Sequence, residues 1–208
     1  MNPASLQMSF AEELRVQRWD DHRYYHQSRV NQSLHLLSAC TFLVVYALIA
    51  FEPLIAAILG WVVAMWVRQI GHFFFEPRGF DRVNGVSFAE KENIKVGFNL
   101  QRKVVLLVVW AAVPAVLWGW PTLGGLIDAP ADTHALLDRI GVGWIALAFA
   151  GLLARTFWLM ATRNVQTGAV WFTKIVTDPV NDIRTYWKSP YYLWKGQMID
   201  PMDHVTHP

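Results

Sequence analysis

The sequence predicts an all-α integral membrane protein: a helical bundle with about four transmembrane helices and cytosolic N- and C-terminal segments. Three observations predict this class. Hydrophobic residues make up 54% of the chain, and the mean hydropathy is +0.25. Charged residues make up only 16%, against about 25% in soluble domains. The charges also lie almost entirely outside four apolar runs. The net charge of +2 does not indicate a nucleic acid partner, and the single cysteine excludes an internal disulfide.

The four apolar runs are the predicted membrane spans. They cover residues 36–51, 54–67, 104–120 and 140–161. The first two are shorter than the roughly 20 residues that a membrane helix needs, so a re-entrant hairpin stays open beside two full crossings. Pro114 is expected to kink the third span.

The whole chain, residues 1–208, is predicted to form a single membrane domain around the span region 36–161. Residues 1–35 form a cytosolic amphipathic segment, in which Ser9 and Glu12 are typical of a helix N-cap. Residues 162–208 form a cytosolic interfacial segment, rich in aromatic and basic residues. We expect Asp178-Pro179 and Ser189-Pro190 to interrupt its helices.

Basic residues predict the orientation of the spans. Four precede the first span, seven lie in residues 68–103, and six lie from residue 155 onwards. The turn at residues 52–53 has none, and the loop at residues 121–139 has one. The positive-inside rule therefore predicts that both termini and the 68–103 loop are cytoplasmic. The predicted location is the inner membrane of a bacterium.

Four of the seven histidines flank the predicted hairpin. Both of its ends emerge on the same side of the membrane, so two distant polar clusters become neighbours. Three pairs within them have the i,i+4 spacing that shares a helix face: His22 with His26, Asn31 with His35, and His72 with Glu76. On one straight helix His26 and His35 would point roughly half a turn apart. A metal shared by both therefore requires a bend, which we expect near Ser28.

Imidazole and carboxylate ligands suit Fe(II), Zn or Mn, and histidines with one carboxylate are typical of oxygen-binding non-haem iron. The predicted metal ligands are His26, His35 and His72, with His22 or Glu76 completing the shell. Asn31 and Gln69 are predicted to orient the imidazoles or hold a water. Arg68, or Arg155 inside the fourth span, is the candidate partner of a substrate carboxylate. Arg155 has a second interpretation, in which its side chain only snorkels to the interface.

At these residues the sequence resembles the membrane 2-hydroxy fatty acid dioxygenase family. The resemblance covers about residues 19–85. A run at residues 173–179, followed by Asp182-Ile183, is similar to bacterial members. The matching residues are Tyr25-His26, Asn31 and His35 in the first cluster, and Trp66, Gln69, Gly71-His72 and Glu76 in the second.

The resemblance implies an integral membrane Fe(II)-dependent dioxygenase that shortens 2-hydroxy fatty acids by one carbon through α-oxidation. Its partners would be a lipid or fatty-acid substrate, O2 and the bilayer, and its essential catalytic histidines would be His26, His35 and His72. Pro77-Arg78-Gly79-Phe80 departs from the family's usual Pro-Ala-Leu, which leaves the substrate open.

Two other classes of function use the same histidines. One is a non-enzymatic scaffold or a metal-binding or transport protein, and the other is a zinc hydrolase. The first three predicted spans contain no ionisable residue, which argues against an ion path. The sequence leaves the oligomeric state open.

Overall fold

The computed structural model describes residues 8–94 and 100–202, and within those ranges the fold is all-α without a β-strand, as predicted. The helices are α1 (Phe10–Tyr25), α2 (Arg29–Leu48), α3 (Pro53–Phe75), α4 (Phe88–Ile94), α5 (Leu100–Gly119), α6 (Thr133–Thr162), α7 (Val165–Tyr186) and α8 (Ser189–Trp194).

Among the described residues, three helices are long and apolar enough to cross a membrane. They are α2, α3 and α6. The apolar part of α5, Lys103–Gly119, is shorter. The structure therefore supports three candidate crossings, while the fourth crossing and the cytoplasmic orientation of the termini stay predictions.

The hairpin helices α2 and α3 are longer than the apolar runs that predicted them. They contain 20 and 23 residues, about the length that spans a bilayer core. The extra residues lie at the polar ends, where α2 begins at Arg29 and α3 continues past Arg68 to Phe75. His35 and His72 consequently lie on the hairpin helices themselves.

Helix α3 is not wound regularly. Leu59–Met65 and Gly71–Phe75 form π-helical turns, which change the direction in which later side chains point. The second π-helical turn carries His72 and ends before Glu76, whose backbone is extended with φ −75° and ψ 136°. His72 and Glu76 therefore do not share a helix face, although their i,i+4 spacing predicted that they would.

The bend predicted between His26 and His35 is confirmed. Helix α1 ends at Tyr25, His26 follows with φ −136° and ψ 48°, and α2 begins at Arg29. The Ser28 hydroxyl accepts a hydrogen bond from the Asn31 backbone N–H and caps α2. The predicted Ser9–Glu12 capping box at the start of α1 is also confirmed.

Helix α7 corrects the prediction that Asp178-Pro179 interrupts the C-terminal segment. The helix continues through Pro179 to Tyr186. A proline inside a helix costs about 3 kcal/mol or more. Helix α7 packs against α1, α2 and α6, and this packing offsets the cost. The second predicted interruption is confirmed: α7 ends at Tyr186, and Ser189-Pro190 starts α8, where proline is tolerated in the first turn. Residues 203–208 of the predicted segment lie outside the described ranges.

Three polar segments meet at the polar end of the α2–α3 hairpin. The hydroxyl of Tyr25, at the end of α1, donates to the Lys91 carbonyl of α4. Lys174 of α7 forms a 3.1 Å ion pair with Asp21 of α1. The histidines of the hairpin are therefore enclosed by α1, α4 and α7.

Candidate metal centre

Three of the predicted histidines converge on one point. His26 Nε2 lies 3.2 Å from His35 Nε2, and His35 Nε2 lies 3.2 Å from His72 Nε2. One ligand atom of each ring lies within 4.8 Å of the other two. His26 and His35 are each 2% exposed. We call these residues the three-histidine cluster.

A hydrogen bond at the opposite side of the ring fixes the tautomer of His26, and charged groups contact the corresponding nitrogen of His35. His26 Nδ1 donates to the Asp21 carbonyl at 2.8 Å. His35 Nδ1 lies 3.3 Å from Asp182 Oδ2, which can only accept, and 3.2 Å from Arg68 Nε, which can only donate. A neutral imidazole with its proton on Nδ1 carries a lone pair on Nε2. Burial, with His35 beside it, lowers the pKa of His26 well below its usual range, which keeps this ring neutral.

The facing Nε2 atoms fit a bound divalent metal. With the proton of His35 on Nδ1, its Nε2 lone pair would face that of His26 at 3.2 Å, and a cation between them would remove the repulsion. Metal–nitrogen bonds of about 2.0–2.1 Å place two ligands of one ion roughly 3 Å apart. Both the donor chemistry and the separations therefore suit a metal held by His26, His35 and His72.

His22 lies beside this cluster but belongs to a different contact. Its Nδ1 is 3.2 Å from the Tyr186 hydroxyl. The Tyr186 ring in turn packs 5.5 Å from the His26 ring, centroid to centroid. The structure thus places His22 behind Tyr186, among the groups that pack against the cluster.

Glu76 is engaged with the start of α2. Its carboxylate accepts hydrogen bonds from Asn31 Nδ2 at 2.7 Å and from the backbone N–H groups of Ser28 and Gln27 at 3.1 Å. Burial raises the pKa of Glu76 to about 7, although these three hydrogen bonds lower it. In this arrangement Glu76 ties the end of α3 to the break between α1 and α2.

The hydrogen bonds described for Asn31 and Gln69 go to other groups than the imidazoles, and their role in orienting the imidazoles or holding a water stays a prediction. Asn31 Nδ2 donates to Glu76 and to the Tyr25 carbonyl at 3.0 Å. Gln69 lines a cavity next to His72, and its Nε2 contacts Met65 Sδ at 3.5 Å. Asn31 therefore holds the hairpin against α1, while Gln69 faces the space where a ligand would lie.

A cavity of about 720 Å³ extends from the three-histidine cluster into the apolar space between the helices. His35, His72 and Arg68 line its polar end. Its size is typical of small-molecule sites. Arg155 is not among its lining residues, and its guanidinium stacks instead 4.3 Å from the Trp158 ring.

Charged residues of α7 complete the polar end, and sequence reasoning had given them no role. Asp182 pairs with Arg68 and contacts His35 Nδ1. Lys174 pairs with Asp21 and, at 3.6 Å, with Asp178. One feature of the sequence could have indicated them: Lys174, Asp178 and Asp182 are spaced four residues apart, which places them on one helix face.

The segment that carries the three histidines also matches a known family. Residues 15–79 match the Mpo1-like family. The family is described as 2-hydroxy-palmitic acid dioxygenase Mpo1-like, which confirms the resemblance predicted from the motifs. The Mpo1-like segment contains all three histidines and Glu76, whereas α5, α6 and α7 lie outside it. No curated protein and no solved structure matches the chain.

The Asp182 carboxylate is expected to strengthen metal binding to the Mpo1-like segment through His35. Asp182→Asn removes the negative charge that lies 3.3 Å from His35 Nδ1. Loss of such a partner typically weakens metal affinity about 10- to 100-fold. Titration of metal-free protein with Fe(II) measures the change.

Asp138→Asn is the matched control for Asp182→Asn. Asp138 also pairs with a histidine, His134, at 3.0 Å, but this pair is exposed on α6. The metal affinity of the Asp138→Asn protein should equal that of the unmodified protein. An Asp182→Asn protein with unchanged affinity would contradict the positioning role.

Proposed function

We propose that this protein is a membrane-bound, iron-dependent dioxygenase that oxidises 2-hydroxy fatty acids at the α-carbon and shortens them by one carbon using O2. The match to the Mpo1-like family supports a dioxygenase acting on a lipid acid. The observation that carries the proposal is the convergence of three imidazole Nε2 atoms at the polar end of an apolar cavity.

In this proposal His26, His35 and His72 hold Fe(II). Three protein ligands leave positions open on an iron ion, and iron bound there would supply the reaction with O2. The Asp21 carbonyl keeps the Nδ1 proton of His26 in place. The Asp182 carboxylate would do the same for His35 when Arg68 Nε no longer donates to His35 Nδ1, so that both Nε2 atoms are available. Glu76 acts indirectly in this proposal: it holds the start of α2 in position.

Arg68 is the proposed partner of the substrate carboxylate. A guanidinium group binds carboxylates with two parallel hydrogen bonds, and Arg68 lines the cavity beside His35. Asp182 holds the guanidinium and thereby orients it. The apolar walls exclude water from the acyl chain, which lies between the membrane helices.

The proposed location is the inner membrane of a bacterium, with both termini and the 68–103 loop in the cytoplasm. The distribution of basic residues supports this orientation. The contacts that join α1, α4 and α7 at the polar end of the hairpin support it as well, because they require these segments to lie on one side.

A zinc hydrolase is the second candidate, since three histidines with an open position also form a common catalytic zinc site. Metal removal separates the two. Chelated protein should consume no O2 with a 2-hydroxy fatty acid, and Fe(II) should restore consumption while Zn(II) should not. The corresponding acid without the hydroxyl group is the control substrate. Hydrolytic activity restored by Zn(II), without O2 uptake, would replace the proposal.

A further inference from the structure

The cavity has a direction, from polar residues at one end to apolar residues at the other. Arg68 and Gln69 line the end next to His35 and His72. Gln69 is 6% exposed, and its Oε1 has no hydrogen-bond partner in the part of the chain that the structure describes. An unpaired buried acceptor costs stability unless a ligand or water satisfies it, so this end suits a polar head group.

Three tryptophans line the cavity deeper between the helices. The Trp61 ring packs 4.7 Å from Trp110 and 6.1 Å from Trp144, centroid to centroid. They come from α3, α5 and α6 respectively. We call them the tryptophan cluster.

The helical rise along α2 gives the distance between the three-histidine cluster and the tryptophan cluster. About 15 Å of helical rise separates His35 from Val45. Val45 lies opposite Gly60, where an added Cβ would meet it at 3.6 Å, and Trp61 follows directly. The cluster is therefore about 15 Å from the three-histidine cluster, close to half of the roughly 30 Å hydrocarbon core. Ile49, Ala56 and Ala57 line the cavity about one turn deeper.

The position of the tryptophan cluster is fixed by a hydrogen bond between α5 and α6. Pro114 lacks the N–H that would bond to the Trp110 carbonyl within α5. The Trp144 indole N–H donates to this carbonyl at 2.8 Å. Both helices lie outside the segment that matches the Mpo1-like family, so this wall of the cavity is an addition to the matched hairpin.

We propose that the tryptophan cluster sets the length of the acyl chain that the cavity accepts. This inference rests on the proposed function for the head group but makes a separate claim about the tail. One straight acyl chain, with its head at Arg68 and Gln69, occupies the apolar part of the cavity. The rings of Trp61, Trp110 and Trp144 limit how far its methyl end reaches.

The test measures anaerobic binding of a homologous series of saturated 2-hydroxy acids to the full chain in detergent, by competition with a fluorescent fatty acid. Trp110→Ala removes the ring and keeps the carbonyl that Trp144 requires. We expect the preferred chain length to increase, with about fourfold tighter binding for each additional methylene buried. Ala57→Leu adds bulk one turn deeper than the rings and should leave the preferred length unchanged, because the acyl chain ends at the cluster.

Trp118→Ala is the matched control, because Trp118 lies on the same helix and is 69% exposed. It should keep the preference of the unmodified protein. The same shifts are expected in a His72→Ala background, so the result does not depend on iron or turnover. A preferred length that is unchanged in Trp110→Ala, or shortened in Ala57→Leu, overturns the role of the cluster. Binding that is independent of chain length overturns the cavity as the acyl site.

Discussion

Replacing His72 by alanine is expected to abolish stoichiometric iron binding. His72 supplies one of three imidazoles, and its Nε2 lies 3.2 Å from that of His35. Two neutral imidazoles alone bind a divalent ion far more weakly than three. Metal analysis of protein purified anaerobically in detergent should find near-stoichiometric iron in the unmodified protein and a trace in His72→Ala and His35→Ala.

His134→Ala is the control for His72→Ala. His134 is exposed on α6, and its partner is Asp138. Its removal should leave the iron content unchanged. Zinc at stoichiometric level would favour the hydrolase, and unchanged iron in His35→Ala and His72→Ala would exclude the three-histidine site.

Gly71→Ala is expected to disrupt the same site without touching a ligand. A Cβ at this position would lie 1.9 Å from Asn31 Oδ1 and 2.9 Å from Asn31 Cγ. Asn31 is fully buried and bonds to Glu76 and the Tyr25 carbonyl, so it moves only if these bonds break. Overpacking of this kind costs about 1–3 kcal/mol, and broken hydrogen bonds add to it. The melting temperature and the iron content should both fall.

Two comparisons identify the cause of the effect. Gly79→Ala should be neutral, because nothing lies within 4 Å of an added Cβ there. In a double-mutant cycle, Gly71→Ala should cost less stability in an Asn31→Ala background, where the clashing amide is absent. An equal loss of stability in both backgrounds would show that the close approach of α2 and α3 is not the reason why Gly71→Ala destabilises the protein.

The features that could be predicted from the sequence are those that local spacing and composition determine. The apolar runs predicted the hairpin, and the different directions of His26 and His35 on a straight helix required the bend at Ser28. The motif of paired clusters predicted the family match. These inferences depend on residues close together in the chain, or on a hairpin whose two ends emerge on the same side of the membrane.

The features that the sequence did not predict depend on distant partners or on irregular winding. Asp182 contacts His35 across 147 residues, and no spacing rule reports such a pair. The π-helical turn at Gly71–Phe75 changes where Glu76 points, because it breaks the i,i+4 relation with His72. The local preference of Pro179 predicts a helix end, but α7 continues through it because the packing of this helix outweighs that preference.

The contact between His35 and Asp182 also determines when the centre is finished during protein synthesis. The ribosome makes α2 and α3, with His35 and His72, well before it makes α7. A nascent hairpin in the membrane would present its imidazoles without the carboxylate that contacts His35 Nδ1. In the proposed metal site, firm metal loading would therefore await the docking of α7. A protein released before this helix is made would retain every ligand and still hold its metal weakly.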